Sequence, residues 1–287
     1  PRQSPTRGGG GSLALVRLGI HLPQFRDPVP GEVLTAAARD AEEAGADDVW
    51  VSDHLILPAG SERPPESFHD PLTVLTWTAA VTRRVGLGTS VLVAPYRHPV
   101  VLAKALASLD ALSGGRVICG IASGWMEEEF SALGVPFRQR GRRTDATIAI
   151  CRGLWAGGDS YEWEGVRTEG VSLAPGPSRP GGPPVWVGGN SDAGIRRAAR
   201  AGDAWHTTIA DRDGLTERLA VLDRALAGAG RDRGRFAVSV RVRADAERVA
   251  RVAPRLRDLG VDHLLVDLPG FDATTFRDEV AAVRALV

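Results

Sequence analysis

Short apolar runs rich in Val, Ile and Leu alternate along this chain with amphipathic stretches of about 12–16 residues. The runs lack the strict apolar–polar alternation of a half-exposed strand, so they predict strands covered on both faces, as in a parallel sheet. Eight strands are predicted, at 16–22, 48–51, 85–93, 116–121, 185–187, 204–206, 236–242 and 263–267. The predicted helices lie between and after them, at 32–44, 71–83, 100–112, 127–133, 142–155, 192–201, 214–227, 246–259 and 274–287.

The order of these elements determines the predicted fold class. Eight strands, each followed by helix, fit within 287 residues of continuous composition. That number of units favours an α/β fold closed into a single (β/α)8 TIM barrel. An open, doubly wound sheet is the alternative, because the sequence does not show whether the sheet closes.

Two segments depart from this rhythm. Residues 1–12 are Pro, Arg, Ser and Gly without an apolar period, and they are expected to form a flexible arm before a single domain at 13–287. An insertion of about 156–184 separates the fourth and fifth βα units. Within it, 161–163 and 167–171 are predicted to pair as a hairpin around Glu164 and Gly165. The Pro- and Gly-rich remainder is expected to cross the mouth of the barrel as a loop.

Composition and charge narrow the possible partners. Thirty-five Lys and Arg balance 35 Asp and Glu, so neither a nucleic acid nor an anionic membrane is the expected partner. No run approaches the roughly 20 apolar residues that span a bilayer, and no signal peptide is expected. Cys119 and Cys151 are predicted to be buried, reduced thiols, which fits a cytoplasmic protein. The HExxH, CxxC, Walker A and GxSxG motifs are absent, so metal and nucleophilic-serine chemistry have little support.

Candidate chemistry gathers where the predicted strands end, which is the catalytic face of such a barrel. Four of the six histidines fall there, which predicts a site at this rim: His21, His54, His98 and His206. The turn at 188–191 joins a strand to a helix with small residues, so it suits either an anion on backbone N–H groups or a plain capped turn. At least two of the three glutamates at 127–129 are expected to be solvated and to complement the helix dipole.

Four blocks of sequence carry a family resemblance: VWVSDHLILP (49–58), the stretch 85–145 with SGWMEEEF and RGRRTD, 183–206 and GVDHLLVDLPG (260–270). Together they resemble the luciferase-like monooxygenase superfamily, and within it the branch that uses the deazaflavin coenzyme F420. The resemblance implies a TIM barrel, a flavin or deazaflavin at the carboxyl ends of the strands, and a homodimer.

The resemblance also implies individual cofactor contacts. Ser52, Asp53 and His54 match the SDH motif that lies beside the ring in the deazaflavin branch. Ser90 and Val91 match a non-proline cis peptide behind the ring. The side chain and phosphate of the cofactor are assigned to two turns, formed by Ser123, Gly124 and Trp125 and by Gly188, Gly189, Asn190 and Ser191. Trp125 stands where some deazaflavin dehydrogenases carry a glutamate proton donor, so their proton-transfer scheme and sugar-phosphate substrate do not carry over.

The leading functional prediction is hydride transfer between F420 and a small organic substrate. His54 is the first candidate for proton transfer because imidazole titrates near neutral pH, and His21, His98 and His206 are alternatives. Asp53 is expected either to act in catalysis or to orient an imidazole or the cofactor. The same fold with FMN as a reduced-flavin monooxygenase is the second hypothesis, and a non-catalytic flavin-binding protein is the third.

Overall fold

The computed structural model describes residues 16–25, 29–61, 65 and 67–287. Its main sheet is parallel throughout and closes through pairing of strand β3 (Gly86–Thr89) with strand β5 (Val117–Ala122), which confirms the predicted (β/α)8 barrel. The third strand of the barrel is divided into two short strands, β3 and β4 (Leu92–Val93). The strands are β1 Arg17–His21, β2 Asp48–Val51, β3 Gly86–Thr89, β4 Leu92–Val93, β5 Val117–Ala122, β6 Tyr161–Trp163, β7 Val166–Thr168, β8 Val185–Gly188, β9 Ala204–Thr207, β10 Ala237–Arg243 and β11 His263–Asp267.

Helices surround the barrel close to their predicted positions. They are α1 Gly31–Glu43, α2 Pro71–Val81, α3 Pro99–Ser113, α4 Glu127–Ala132, α5 Arg140–Trp155, α6 Asp192–Ala201, α7 Arg212–Gly228, α8 Ala246–Asp258 and α9 Phe276–Arg284. Differences concern the ends. For example, α7 begins two residues before its predicted start because the Asp211 carboxylate accepts a hydrogen bond from Gly214 N at 2.7 Å and caps the helix there.

Apolar packing is concentrated between the outside of the barrel and the helices, where Val, Leu, Ile and Ala side chains form one continuous core. Each large apolar side chain buried there contributes about 1.5–3 kcal/mol. The interior of the barrel differs, because Trp50 and Trp186 lie there beside buried polar residues. This contrast places most of the fold's stability in the outer layer and leaves the interior able to carry polar groups.

The insertion after α5 contains the expected hairpin with a different second strand. Tyr161 pairs with Thr168 and Trp163 with Val166, so β7 covers Val166–Thr168 and the predicted 167–171 is wrong in its bounds. The cause is the two-residue turn, in which Glu164 and Gly165 both have positive φ, at 52° and 80°. Such a tight turn makes the next residue the direct partner of Trp163.

The predicted arm at residues 1–12 lies outside the described residues. Among the residues that the structure does describe, no helix is long and apolar enough to cross a membrane. The same part of the chain contains no group of three His, Cys, Asp or Glu side chains placed to hold a metal ion. Both cysteines are buried free thiols, as predicted.

Candidate active site

The carboxyl ends of the barrel strands bring most of the predicted site residues to one mouth. His21 ends β1, the segment 52–54 follows β2, and Ser90 and Val91 join β3 to β4. The segment 123–125 follows β5, and the turn 188–191 connects β8 to α6. The parallel sheet places these ends together although they are distant in sequence.

Ser52 is the centre of a hydrogen-bonded cluster at this mouth. Its Oγ lies 2.8 Å from His21 Nε2 and donates to the Ser90 carbonyl oxygen at 3.1 Å. The Ser52 backbone is fixed by Gln24, whose Oε1 accepts from Ser52 N and whose Nε2 donates to Ser52 O, both at 2.6 Å. Gln24 is fully buried and was not among the predicted site residues. Its signal in the sequence is a single amide between a proline and a phenylalanine, which has no pattern to distinguish it.

The Ser90–Val91 peptide bond is cis, as the family resemblance implies. Its carbonyl oxygen accepts from Arg241 Nη1 at 3.1 Å, and the same nitrogen donates to Ser52 Oγ at 3.0 Å. Arg241 Nη2 donates to Asp267 at 3.1 Å. Burial by itself would raise the pKa of Asp267, but His21 and Arg241 beside it hold that pKa below its ordinary value. The mouth therefore contains a cation–carboxylate pair that the predicted site did not include.

Asp53 has the geometry of a positioning residue. Its Oδ2 accepts from Val93 N at 2.8 Å and from Arg97 Nη1 at 2.6 Å, and its Oδ1 accepts from Arg97 Nη2 at 3.0 Å. Burial raises the pKa of the Asp53 carboxyl, while the bidentate bond from Arg97 opposes that shift. Arg97 also binds Asp70 at 2.8 Å. With three N–H donors bound, Asp53 ties the loop after β2 to β4.

His54 is paired with a buried carboxylate. Its Nδ1 lies 2.7 Å from Glu129 Oε2, which fixes the hydrogen on Nδ1 and leaves Nε2 as the acceptor in the neutral ring. Tyr96 donates to the same carboxylate oxygen at 2.9 Å, and Leu55 N donates to Oε1 at 2.7 Å. Burial alone would raise the pKa of Glu129, but the bonds from His54, Leu55 and Tyr96 outweigh it and lower that pKa. The ring of His54 is thus held by a charged partner, as in a catalytic dyad.

Glu129 belongs to the candidate site through its bond to His54, and the sequence did not single it out from its two glutamate neighbours. Glu127 and Glu128 are exposed, as predicted for at least two members of this acidic run. Glu129 is fully buried because one more helical step turns it inward, beneath the loop that follows β2. Three identical residues in a row carry no periodicity, so the sequence does not show which of the three is buried. The structure shows that it is Glu129, the partner of His54.

The turn at 188–191 is built from small residues and is braced by its neighbours. A Cβ on Gly188 would lie 2.9 Å from Val91 Cγ1, so only glycine keeps the wall open beside the cis peptide. The Asn190 side chain binds the end of β9, accepting from Thr207 Oγ1 at 2.8 Å. Ser191 Oγ accepts from Gly194 N at 3.3 Å and caps α6. Other N–H groups of the first turn have no partner inside the helix, which leaves donors for an anion.

One arginine connects this turn to two other parts of the mouth. Arg197 of α6 donates to Ser123 Oγ at 3.2 Å and to Asp145 Oδ1 at 2.8 Å. Asp145 closes the RGRRTD block, so that motif and the turn after β5 share one buried guanidinium. Gly124 has φ +78°, and a Cβ there would lie 2.6 Å from Val93 Cγ1, so a glycine is required at this position.

His98 and Trp125 lie differently from the central cluster. His98 is exposed and caps α3, accepting from Val100 N at 3.3 Å, while its ring contacts Trp163 of the insertion. Trp125 is 65% exposed and meets the His54 ring edge-on at 6.1 Å. The structure therefore brings Trp125 to His54, whereas the contacts of His98 are with a helix end and the hairpin.

Residues 13–279 match the sequence model of the family described as luciferase-like monooxygenase. An uncharacterized protein of Mycobacterium tuberculosis (strain ATCC 25618 / H37Rv) is 34% identical over 244 residues, which are 80% of this chain and 82% of that protein. An F420-dependent glucose-6-phosphate dehydrogenase of Amycolatopsis mediterranei (strain U-32) is 38% identical over 187 residues, which are 62% of this chain and 54% of the relative.

Solved structures agree in fold. A structure of an F420-dependent secondary alcohol dehydrogenase with an F420–acetone adduct has a TM-score of 0.80 at 17% identity and covers 95% of this chain and 98% of that one. A type II Baeyer–Villiger monooxygenase of Pseudomonas putida with FMN has a TM-score of 0.74 at 16% identity, covering 95% and 98%. These likenesses show the fold alone. Together with the match over nearly the whole chain, they leave a plain conclusion: the chain belongs to the luciferase-like monooxygenase family.

Proposed function

We propose that this protein is an F420-dependent oxidoreductase that transfers a hydride between the deazaflavin and a small organic alcohol or carbonyl compound. The observation that carries the proposal is the His54–Glu129 pair, in which Nδ1 is bound to a buried carboxylate and Nε2 has no hydrogen-bond partner among the described residues. The F420-dependent relative at 38% identity supports the choice of cofactor.

The mouth offers fitting contacts for such a cofactor. Its ring would lie against the Ser90–Val91 peptide, with Ser52 and Arg241 as polar partners, and its phosphate at the turn 188–191. Gly188 keeps the wall beside Val91 open, since any side chain there would enter the valine. Asp192, the one acidic side chain in the first turn of α6, is bound to Arg218 at 2.7 Å, which reduces its repulsion of an anion.

The proposed chemistry divides between cofactor and protein. The deazaflavin, when bound, accepts or donates the hydride. His54 Nε2 takes the hydroxyl proton of an alcohol, or in the reverse direction returns it to the oxygen of a carbonyl compound. Glu129 holds the ring in the tautomer that has Nε2 unprotonated and stabilises the imidazolium when it forms. Orientation of the two reactants by the rigid barrel ends supplies the remaining advantage.

Aromatic side chains around His54 favour an apolar substrate. Phe68 meets the imidazole edge-on at 5.1 Å, Trp125 meets it at 6.1 Å, and Phe25 stacks on Phe68 at 4.9 Å. Such a wall stabilises hydrocarbon groups and offers no charge to a sugar phosphate. We therefore propose small secondary alcohols and their ketones as the first substrates to test.

The test is direct. Purified protein is titrated with F420 and, separately, with FMN, and binding is followed by calorimetry and by the visible spectrum. We expect F420 to bind and a secondary alcohol to bleach its oxidised band in a single turnover, and a His54→Ala variant to bind F420 without bleaching it. Tight binding of FMN with oxygen-dependent product formation would instead establish a monooxygenase, and binding of neither cofactor would overturn the proposal.

A homodimer is proposed as the working assembly. Trp77 of α2 and Val101 and Leu112 of α3 are large apolar side chains that are at least half exposed on two helices packed side by side. Exposed apolar side chains of this kind support association with a second copy of the chain, because burying them would remove one aromatic and two aliphatic groups from water.

A further inference from the structure

The barrel interior contains an unbroken chain of hydrogen-bonded polar side chains. Barrels of this architecture usually fill that space with layers of branched apolar residues. Here five buried side chains take part, none more than 8% exposed, and we refer to them as the polar chain: Asp48, His263, Ser239, His206 and Ser90. None of the first four contacts the His54–Glu129 pair, so the mechanism above leaves them without a role.

Each link of the polar chain has the length of a good hydrogen bond. Asp48 Oδ1 lies 2.8 Å from His263 Nε2, and His263 Nδ1 lies 2.7 Å from Ser239 Oγ. Ser239 Oγ lies 2.8 Å from His206 Nδ1, and His206 Nε2 lies 2.9 Å from Ser90 Oγ. Both nitrogens of both rings are used, so no link depends on a bridging water.

The polar chain runs the full height of the barrel. Asp48 and His263 are the first residues of β2 and β11, at the end of the barrel away from the mouth. Ser239 and His206 occupy the middle, paired across β10 and β9. Ser90 follows β3 at the mouth, where its carbonyl and hydroxyl oxygens accept from Arg241. The polar chain therefore connects the buried carboxylate of Asp48 at the base with the place proposed for the cofactor ring.

The hydrogens of the polar chain can be arranged in two ways. Ser239 has one hydroxyl hydrogen, so when it donates to His263 it must accept from His206, and when it donates to His206 it must accept from His263. The tautomer of His206 is thereby coupled to the proton on His263 Nδ1. Burial, with the charges of His263 and Arg241 nearby, lowers the pKa of His206 to about 3, so His206 conducts as a neutral ring.

The carboxylate at the base of the polar chain is bound by three donors. Asp48 accepts from His263 Nε2, from Arg17 Nη2 at 2.8 Å and from Trp50 Nε1. Burial by itself would raise the pKa of Asp48, but His263, Arg17 and Trp50 outweigh it and the carboxyl stays ionised. The indoles of Trp50 and Trp186 pack against the His263 ring at 5.3 and 4.9 Å and separate it from water.

We propose that the Asp48–His263 pair stores a proton and that Ser239, His206 and Ser90 carry it to and from the mouth. The inference rests on the proposed function for the destination of that proton. Reduction of a deazaflavin ring adds one proton to the ring besides the hydride, so the reaction exchanges two protons at the mouth. His54 exchanges the proton of the substrate oxygen, and the polar chain exchanges the other.

The transfer balances without an outside acid. The His263 imidazolium gives its Nδ1 proton to Ser239 Oγ, and Ser239 gives its own hydrogen to His206 Nδ1. His206 gives its Nε2 proton to Ser90 Oγ, and Ser90 would release its own hydrogen at the mouth, where a bound ring would take it up. His263 ends neutral with Nε2–H on Asp48, and the three carriers keep the number of protons with which they began. Reduction of a carbonyl compound, which oxidises the ring, returns the proton by the same route. After alcohol oxidation, in which reduced F420 leaves, His54 gives the substrate proton to solvent and one proton from solvent refills the store.

The first test uses the free protein and needs no cofactor. The full chain is labelled with 15N-histidine and titrated by NMR, with His206→Asn and His263→Asn variants to assign the rings. We expect His206 to change from Nε2–H to Nδ1–H at the pH where His263 loses its proton, and Ser239→Ala to abolish that change. A His206 tautomer that ignores the titration, an unchanged Ser239→Ala variant, or a His263 that keeps one state over the whole range in which the chain is folded would each overturn the proposal.

The second test measures the proton at work. Single-turnover reduction of F420 is compared in wild type, Ser239→Ala and Ser239→Thr, with thermal unfolding as a check on each fold. We expect Ser239→Ala to slow the step at least about tenfold while F420 affinity is unchanged, and Ser239→Thr, which keeps a hydroxyl, to restore it. Equal rates in Ser239→Ala and wild type would overturn the relay. If wild type reduces no F420, the proposed function fails, and the NMR result still decides whether the polar chain moves a proton.

Discussion

Replacement of Glu129 by Gln should reverse the tautomer of His54 with almost no change in shape. Leu55 N donates to one carboxylate oxygen, so the amide of the glutamine must place its own oxygen there. Its NH2 group then faces His54 Nδ1, which the carboxylate now contacts at 2.7 Å. A ring that must accept at Nδ1 carries its hydrogen on Nε2 and presents a donor, where the reaction of an alcohol needs an acceptor.

The size of the effect follows from the role assigned to the imidazole. General acid–base catalysis contributes typically 10²–10⁴-fold, so we expect kcat for alcohol oxidation to fall by about that factor, or roughly 3–5 kcal/mol in the barrier. KM and F420 affinity should change little, because the substituted side chain is fully buried beneath His54. Replacing a charged hydrogen-bond acceptor in a buried position should also lower the free energy of unfolding by about 1–3 kcal/mol.

The assay is steady-state F420 reduction with a secondary alcohol, together with 15N-histidine NMR of the His54 ring. Tyr96→Phe is the matched control, since it removes one donor to the same carboxylate at 2.9 Å and leaves the tautomer of His54 as it is. We expect that variant to retain kcat within a few-fold. The reasoning is refuted if Glu129→Gln keeps the wild-type kcat, or if its His54 ring still carries the hydrogen on Nδ1.

Three further predictions concern stability and assembly. Gly124→Ala should lower the free energy of unfolding by about 1–2 kcal/mol because of its positive φ, and by a further 1–3 kcal/mol because the new Cβ would clash with Val93. Gly134 also has a positive φ but lies in open space, so Gly134→Ala should show only the first of these two costs. Thermal unfolding measures both. Because the pKa of Glu129 is lowered on folding, its interactions stabilise the protein above about pH 4.5 and are lost as the pH falls through the folded-state pKa. In denaturant titrations below pH 4.5, the wild type should therefore lose more stability on acidification than Glu129→Gln. Sedimentation equilibrium should show a dimer for the wild type and a monomer for Trp77→Arg combined with Leu112→Arg, and a wild-type monomer at micromolar concentration would contradict the proposed interface.

The barrel could be predicted from the sequence because the signals for its strands and helices are local. Apolar runs of strand length and helices capped by Asp211 or Ser191 depend on residues a few positions apart. The break between β3 and β4 carries no local signal of that kind, and the family resemblance alone located the cis peptide at Ser90. The second strand of the hairpin was misplaced by one residue at its start because both residues of a tight turn, Glu164 and Gly165, have positive φ.

The partners of the site residues were out of reach for the opposite reason. His54 and Glu129 are 75 positions apart, and Asp48 and His263 are 215 apart. Only the register of the closed sheet and the turn after β5 bring them together. Arg241 was visible as a polar residue at the end of a strand, but its bonds to Ser52 depend on the barrel cross-section, which periodicity does not describe.

The clamps around the insertion have a practical consequence for engineering. Asp145 and Arg152 of α5 hold Arg197 of α6 and Asp203 just before β9, at 2.8 and 2.9 Å, so the two borders of the 156–184 segment are joined without any contribution from the segment itself. The segment adds a bond of its own, from Arg179 to the buried Asp110 at 3.1 Å, so grafted loops of other lengths should keep this arginine. Libraries limited to the hairpin at 161–168, whose Trp163 contacts His98, would leave the bonds between the borders unchanged.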